Sequence, residues 1–304
     1  MTVESAADLI SLAEIQNVEL VVARRMHEHM LGAHPSIFQE SGFEFGGLRE
    51  WQPGDRLSSI DWSESTLTNF SPLVVREFEQ QSTARLTIVA DTSLSTRCGM
   101  NGVPIAALIA RTVALLGFAA SVFQDYVGLI TFDERGHQMD ARPKVGRHHV
   151  LHCVRSYQDK VLSRGQHNTN QLHHALAGLL RKISVVPVIS DFLFEDYEKL
   201  LDEIQMLHST HDAFVVLIDS SYAFELPALS DGWMEGMDVE TGKSRLFSTA
   251  DVTRIGASVS HWQDGVELAA KERGLEVFRV NSDSDRFHTE AIRFLANRRM
   301  KKWK

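Results

Sequence analysis

Residues 86–95 read Leu-Thr-Ile-Val-Ala-Asp-Thr-Ser-Leu-Ser, a short apolar run that ends in an acid and continues with alternating hydroxyl side chains. A second run of this kind, residues 185–191, reads Val-Val-Pro-Val-Ile-Ser-Asp. Continuous apolar strands bounded by polar residues are typical of a parallel sheet that is covered on both faces. The two stretches therefore predict buried strands whose carboxyl ends each carry an aspartate.

The chain around these two stretches alternates between strand and helix patterns. Further strands are predicted at 126–132, 213–219 and 275–280. Helices are predicted at 103–123, 148–159, 172–183, 195–209, 258–273 and 286–300. This alternation predicts an α/β, Rossmann-like fold with a mostly parallel sheet and helices on both faces. In such folds ligands bind at the carboxyl ends of the strands.

The first 82 residues have a different character. Residues 5–31 show apolar side chains at helical spacing and predict an N-terminal helix. Residues 32–82 are rich in Gly, Pro, Ser and aromatic residues, which predicts an irregular, short-stranded lobe rather than a disordered linker. We therefore predict two parts: residues 1–82, the helix plus the lobe, and residues 83–304, the α/β domain.

Composition narrows the choice of partner and compartment. The 304 residues carry 31 basic and 40 acidic side chains, a net charge of −9, which argues against nucleic acid as a partner. Two cysteines, Cys98 and Cys153, suit a reducing compartment, and the N-terminus lacks the basic start of a signal peptide. The apolar segment 105–123 contains Arg111 near its middle, so a core helix is predicted rather than a membrane span. We expect a cytoplasmic protein.

Oxygen-bearing side chains mark a candidate metal site. Asp91, Ser93 and Ser95 alternate after the first strand, Asp191 follows the other strand, and Thr169 precedes a predicted helix. Mg²⁺ prefers oxygen ligands in near-octahedral geometry, which two carboxylates and several hydroxyls can supply. The alternative is that Asp91 and Ser93 only cap a turn or the helix 103–123. That alternative leaves the second aspartate unexplained.

This set resembles the metal-ion-dependent adhesion site of von Willebrand factor A domains, whose signature is Asp-x-Ser-x-Ser, a distant Thr and a distant Asp. The resemblance implies a von Willebrand factor A-like fold holding Mg²⁺, or Mn²⁺ or Ca²⁺. It implies that Ser93, Ser95 and Thr169 bind the cation directly, while Asp91 and Asp191 bind directly or through water. It also implies an open coordination position that a partner's carboxylate fills.

Motifs in the lobe point to a narrower family. Residues 48–55 read LREWQPGD, residues 60–62 read IDW, and residues 75–79 read VREFE. Together with the site, they resemble the bacterial family known as domain of unknown function 58. That resemblance implies a partnership with MoxR-type AAA+ ATPases in protein assembly or maturation. The chain departs from the family pattern at Trp51, Arg56, Thr96 and Asn168.

Charged side chains of the lobe allow two interpretations. The residues concerned are Arg49, Glu50, Asp55, Asp61 and Arg76. They could form a buried ion-pair network that joins the lobe to the sheet, since buried charges are tolerated only when paired. They could instead form a docking surface beside the metal.

The sequence therefore predicts a metal-dependent protein-binding adaptor rather than an enzyme. A metal-dependent hydrolase or phosphatase is an alternative, for which Asp133 or Asp219 would have to supply the base. A scaffold with a vestigial metal site is another. A zinc site in the cluster His148, His149, His152 and Cys153 lacks a second ligand pair at suitable spacing.

Overall fold

The computed structural model describes residues 9–33, 43–53, 55, 57–80, 84–100, 103–133, 136–162, 183–224, 233–237, 244–281, 290–291 and 294. The chain divides into two compact units, Met1–Met26 with Ala84–Lys304, and His27–Thr83. This division differs from the predicted one in the placement of the N-terminal helix. Apolar side chains of this helix, together with Ile10 just before it, lie in the core of the α/β unit: Ile10, Ile15, Val18, Val22 and Met26.

The described elements follow one another in an order close to the predicted one. They are α1 (Leu12–Ala33), β1 (Phe43–Glu50), α2 (Trp62–Leu67), β2 (Val74–Gln80), β3 (Arg85–Asp91), β4 (Gly99–Met100), β5 (Val103–Pro104), α3 (Ile105–Val122), β6 (Tyr126–Asp133), β7 (Gly136–Lys144), α4 (Arg147–Leu162), β8 (Val185–Ser190), α5 (Tyr197–His208), β9 (Asp212–Ile218), β10 (Trp233–Met237), β11 (Ser244–Ser248), α6 (Thr249–Glu272) and β12 (Val277–Val280). Short 3₁₀ turns occupy Leu57–Ser59, Leu94–Arg97 and Ser221–Phe224.

Six of the described strands form the central sheet in the order β12-β9-β8-β3-β6-β7. Neighbouring strands are parallel, except that β7 runs antiparallel to β6. The predicted mostly parallel α/β fold is therefore confirmed. From β3 the chain moves outward to β6, and it later returns to β8 on the other side of β3. The order reverses between β3 and β8, which is where ligands bind in open α/β sheets.

Strand β9 shows how both faces of this sheet are covered. Phe214, Val216 and Ile218 lie in one apolar cluster with buried side chains of α3 and α4. Ala213, Val215 and Leu217 lie in a second cluster with side chains of α5 and α6. Because successive side chains of a strand point to opposite faces, the two clusters are the two sides of the sheet. The predicted helices on both faces are confirmed.

Helix α3 explains why an arginine lies in an apolar segment. The Arg111 guanidinium donates to Glu14 Oε1 of α1 at 2.7 Å, so this charge is paired at the edge of the core. Among the described helices, α3 has the length and apolar composition that a membrane crossing requires, and 83% of it is buried inside the protein. Core helices of soluble proteins share these properties, so the absence of a membrane span stays a prediction.

Three features of the α/β unit escaped the sequence analysis. The edge strand β7 reads GHQMDARPK, in which the polar and apolar residues do not alternate regularly. The β10–β11 hairpin lies outside the central sheet. Helix α6 begins at Thr249 rather than at 258, because Ser248 and Asp251 form a capping box there. The predicted helix 172–183 lies outside the described residues except for its last position.

The described part of the lobe contains two strands, of eight and seven residues, and a short helix. Strands β1 and β2 pair antiparallel with a bulge between Phe45 and Gly47. The short helix α2 is capped by Asp61, whose carboxylate accepts hydrogen bonds from the backbone N–H groups of Ser63 and Glu64.

Candidate metal site

Asp91, the last residue of β3, is completely buried and has both carboxylate oxygens engaged. Its Oδ1 accepts from the Ser93 backbone N–H at 2.7 Å, and its Oδ2 accepts from the Ser190 hydroxyl at 2.5 Å. Its backbone carbonyl accepts from the Tyr157 hydroxyl at 2.9 Å. Burial raises the pKa of the Asp91 carboxyl above its usual range.

The remaining described site residues form a chain of hydrogen bonds that leads to Asp191. The hydroxyls of Ser93 and Ser95 lie 3.0 Å apart, and the Ser95 hydroxyl donates to Asp191 Oδ1 at 3.3 Å. Asp191 directly follows β8 and is also completely buried. The structure thus brings together Asp91, Ser93, Ser95 and Asp191 from two neighbouring strands. Thr169 lies outside the described residues.

One oxygen of Asp191 is left over. Its Oδ2 is buried and accepts no hydrogen bond from any residue that the structure describes. Burial, and next the negative charge of Asp91, raise the pKa of the Asp191 carboxyl to about 7. A buried acceptor without a donor is costly, as are two buried carboxylates side by side. A bound cation would remove both penalties.

The donor set fits a hard cation. Among the described residues, no three His, Cys, Asp or Glu side chains cluster, so a nitrogen- or sulfur-rich zinc site is not formed there. The candidate ligands are instead two carboxylates and two hydroxyls, an all-oxygen set of the kind that Mg²⁺ accepts. The residues present therefore fit the cation that the sequence predicted.

The capping alternative explains only part of this arrangement. Asp91 does form a tight turn with the Ser93 backbone N–H. Helix α3, however, has Pro104 at its N-cap and no side-chain cap, so neither Asp91 nor Ser93 caps it. Thr92 and Thr96, the two other hydroxyls of this loop, bond to the backbone carbonyls of Phe132 and Ser93. They hold the loop in place and leave the Ser93 and Ser95 hydroxyls for the site.

Helix α6 contributes a residue that the sequence analysis missed. The Gln263 side chain is completely buried, and its Nε2 donates to the Asp191 carbonyl at 2.9 Å and to the Ile218 carbonyl at 2.8 Å. Its Oε1 accepts from the Ser220 backbone N–H at 3.2 Å. One side chain therefore ties the ends of β8 and β9 together. The signal in the sequence is a glutamine in line with Val266 and Ala270, at the spacing of an apolar helix face.

The charged residues of the lobe are placed as follows. The Arg49 guanidinium makes two hydrogen bonds of 2.7 Å to the Asp55 carboxylate, which lowers the pKa of Asp55 to about 2. Asp61 is buried and caps α2. Glu50 is exposed, and the side chain of Arg76 lies outside the described part of the chain. The network that would join the lobe to the sheet stays a prediction.

Other candidates from the sequence differ in their surroundings. The Asp219 carboxylate accepts from the Ser221 hydroxyl at 2.7 Å and from Arg279 Nε at 3.2 Å. Asp133 is the last residue of β6 and is partly buried, and its negative charge adds to the effect of burial in raising the pKa of Asp91. Burial raises the pKa of the Cys153 thiol to about 12, so it is a neutral core side chain rather than a thiolate ligand.

Comparisons with known proteins give a family but no activity. The family described as "Protein of unknown function DUF58" matches residues 47–259. Uncharacterized proteins of Mycobacterium bovis and Mycobacterium tuberculosis are each 25% identical to this chain over 298 residues, which is 94% of this chain and 89% of each relative. The crystal structure of an aerotolerance-related membrane protein from Bacteroides fragilis, with multiple mutations to serines, covers 70% of this chain and 97% of that one at 12% identity and a TM-score of 0.40. We draw no conclusion from a likeness of that size.

Proposed function

The chain belongs to the DUF58 family of proteins of unknown function, and from its site we propose that it is a metal-dependent, protein-binding adaptor with a von Willebrand factor A-like domain. The cation would be Mg²⁺, with Mn²⁺ or Ca²⁺ as substitutes. The place of action would be the cytoplasm, in keeping with two free cysteines.

The observation that carries this proposal is the unsatisfied Asp191 Oδ2. It lies at the reversal of strand order, buried, beside a hydroxyl chain that leads to Ser93. Structural carboxylates inside proteins have their acceptors satisfied. A carboxylate that is buried, half satisfied and adjacent to a second buried carboxylate supports a role that requires a positive charge from outside the chain.

The site residues would interact with the cation in two ways. Ser93 and Ser95 would supply neutral oxygen ligands, with Thr169 as a third, and Asp91 and Asp191 would balance the charge. When bound, the cation supplies a point of strong attraction for a carboxylate of another protein. The first turn after β3 and the Gln263 side chain hold the two aspartates in register, so that little reorganisation is needed on binding.

A MoxR-type AAA+ ATPase is the partner that the family resemblance favours. In that arrangement the chain would dock on the ATPase, or present a client protein to it, through the carboxylate that reaches the cation. The acidic balance of the chain, −9 at neutral pH, supports a protein partner over nucleic acid.

Binding is favoured over hydrolysis by the surroundings of Asp219. Its carboxylate is held by the Arg279 guanidinium and by two donors of Ser221. Both oxygens of this carboxylate are therefore already engaged by donors of the same chain. A general base must instead have an oxygen within hydrogen-bond reach of the attacking water.

Calorimetric titration with Mg²⁺ and Mn²⁺ tests the cation site. We expect binding to the wild type and at least a tenfold weaker affinity in Asp91→Ala and Asp191→Ala, since each removes a charge that would face the cation. Asp202→Asn is the matched control, because it alters an exposed carboxylate that pairs with Arg273 on the surface. Equal affinity in all four proteins would remove the proposal.

Co-purification tests the partner. Wild type and Asp91→Ala would be compared for retention of the MoxR-type ATPase from the same genome, with magnesium and with a chelator. We expect retention only by the wild type and only with magnesium. If the ATPase is retained equally by Asp91→Ala and in the presence of the chelator, it binds at another surface of the chain. A phosphatase screen run on the same samples would reveal turnover that depends on Asp91, which would favour the hydrolase.

A further inference from the structure

Beside the candidate metal site, Tyr197 of α5 and Trp262 of α6 form a surface that we name the aromatic ledge. Their rings meet edge to face with centroids 5.3 Å apart. The indole N–H of Trp262 donates to the Phe192 carbonyl at 2.9 Å, which fixes the ring. Even so, Trp262 remains 39% exposed. Because its polar atom is already engaged, the part left to solvent is hydrocarbon with an aromatic face.

The ledge is attached to the segment that carries Asp191. Phe192 is the next residue, it is completely buried, and its φ of 53° turns the chain sharply after the aspartate. The Phe192 backbone N–H bonds to the Ser190 hydroxyl at 2.9 Å, the same hydroxyl that donates to Asp91. The Trp262 indole is therefore bonded to the residue next to Asp191, and that same residue bonds to the hydroxyl that contacts Asp91.

Acidic side chains flank the Tyr197 side of the ledge. Glu195, Asp196 and Glu198 flank Tyr197 in sequence, and all three are exposed. Asp196 pairs with Lys199 at 2.8 Å, and Glu198 lies 3.9 Å from Arg273. Exposed pairs of this kind are weak and leave the region net negative. An aromatic face set among carboxylates attracts a cation, whereas an apolar side chain placed there would strip water from the acids.

We propose that the aromatic ledge binds a lysine or arginine side chain of the same partner whose carboxylate reaches the candidate metal site. This inference rests on the proposed function for its second anchor and goes beyond it in naming the partner's chemistry. The partner would present an acid and a base at a fixed spacing. Because the Trp262 indole bonds to the residue directly after Asp191, the acid and the base would lie close together in the partner segment.

The ledge would then supply specificity that a bare carboxylate cannot. Any exposed Asp or Glu could reach a cation, but only a segment with a suitably spaced base would also contact Trp262. Tryptophan and tyrosine are the residues that most often dominate binding surfaces, with arginine as a frequent counterpart.

Peptide selection tests this inference. Random peptides displayed on phage would be selected on the full chain in magnesium, and the enriched peptide would be synthesised with its basic residue intact or replaced by Gln. Both peptides would be titrated into wild type, Trp262→Leu, Trp262→Phe and Asp91→Ala, with and without magnesium. Leu268→Ala, an exposed apolar residue of the same helix, is the matched control.

We expect the Gln peptide to bind wild type and Leu268→Ala about two- to fivefold more weakly than the basic peptide, the range of exposed cation–π contacts. In Trp262→Leu the two peptides should bind equally, while Trp262→Phe should keep part of the preference. Enriched peptides without a spaced base, or with an aromatic or aliphatic residue in its place, would overturn the inference, as would an undiminished preference in Trp262→Leu. If peptide affinity is the same in Asp91→Ala and without magnesium, the proposed function is overturned. The affinities of the two peptides for wild type and Trp262→Leu would still show whether the aromatic ledge binds the basic residue. Thermal unfolding of each variant verifies that it is folded.

Discussion

Asp55 in the lobe and Asp191 at the edge of the central sheet are two carboxylates with opposite surroundings. Asp55 has an arginine of its own chain in bidentate contact, and its pKa falls to about 2. Asp191 is buried next to another acid, and its pKa rises to about 7. The lobe thus completes its charge pair internally, whereas the sheet edge holds negative charge that the described part of the chain does not neutralise. Such an arrangement is expected where function, rather than stability, selects the residues.

The largest expected effect is on the pH dependence of the free energy of unfolding, measured without cation. We expect it to differ between Asp191→Asn and Asp55→Asn. An acid whose folded pKa is raised binds more protons when folded, so stability falls as pH rises from about 4 to about 7. Asp191→Asn removes this loss of stability. The variant should therefore be more stable than wild type by up to about 4 kcal/mol at pH 8, the upper limit that follows from the raised pKa of Asp191.

Asp55→Asn should change the pH dependence of stability in the opposite direction. Its folded pKa is lowered, so the Arg49 pair stabilises the lobe above about pH 4 and loses its effect as pH falls toward 2. Urea unfolding between about pH 5 and pH 8 measures the effect of Asp191→Asn, and unfolding between about pH 2 and pH 5 measures that of Asp55→Asn. If Asp191→Asn shows no advantage over wild type that grows with pH, the contrast between the two carboxylates does not hold.

The second prediction adds the cation. A ligand that binds only the folded state at 100 times its dissociation constant stabilises by about 2.7 kcal/mol. Magnesium should therefore raise the thermal midpoint of wild type and of Asp55→Asn, but not of Asp191→Asn. The increase should be greater at pH 8 than at pH 5, because carboxylate ligands must lose their protons before they bind. An equal increase in both variants would place the cation elsewhere.

A third prediction concerns the residue that holds the two strand ends together. Gln263→Met keeps the shape of the side chain but leaves the carbonyls of Asp191 and Ile218 without their donor. Buried groups that lose their partner cost about 1–3 kcal/mol, so we expect a loss of about 2 kcal/mol. Gln205→Met is the control, since Gln205 is exposed and donates to the Arg273 carbonyl at the surface. A weaker magnesium affinity in Gln263→Met, beyond its loss of stability, would show that Gln263 positions Asp191.

The contrast between Asp191 and Gln263 also shows what sequence can predict. Asp91 and Asp191 each end an apolar run, so the sheet edge and its acids follow from local patterns alone. Gln263 lies 72 residues from the aspartate that it holds, and nothing within a few residues of it indicates that contact. Trp262 is bonded to Phe192 across 70 residues in the same way. Local periodicity predicts elements and their ends, but partners across elements depend on how the helices pack.

The N-terminus of α6 is a second example of what the sequence could and could not predict. The tetrapeptide from Ser248 to Asp251 is a recognisable helix start, and the prediction of a start at 258 was wrong because the apolar spacing becomes clear only later in the helix. The ion pair of Arg111 with Glu14 likewise explains an arginine that sequence could only treat as an argument against a membrane span.

The smallest expected effect tests whether the lobe and the sheet edge are independent. Asp61→Ala removes the cap of α2, where the carboxylate accepts from the backbone N–H groups of Ser63 and Glu64. Loss of such a cap costs about 1 kcal/mol. Ser248→Ala, which removes the cap of α6, is the matched variant in the α/β unit and should cost a similar amount. If the lobe only completes its own charges, Asp61→Ala should leave magnesium affinity unchanged at equal loss of stability. If only Asp61→Ala lowers magnesium affinity, the result would support the interpretation that the charged residues of the lobe form a network with the sheet. If Asp61→Ala keeps its magnesium affinity but no longer binds the partner, the result would support a docking surface.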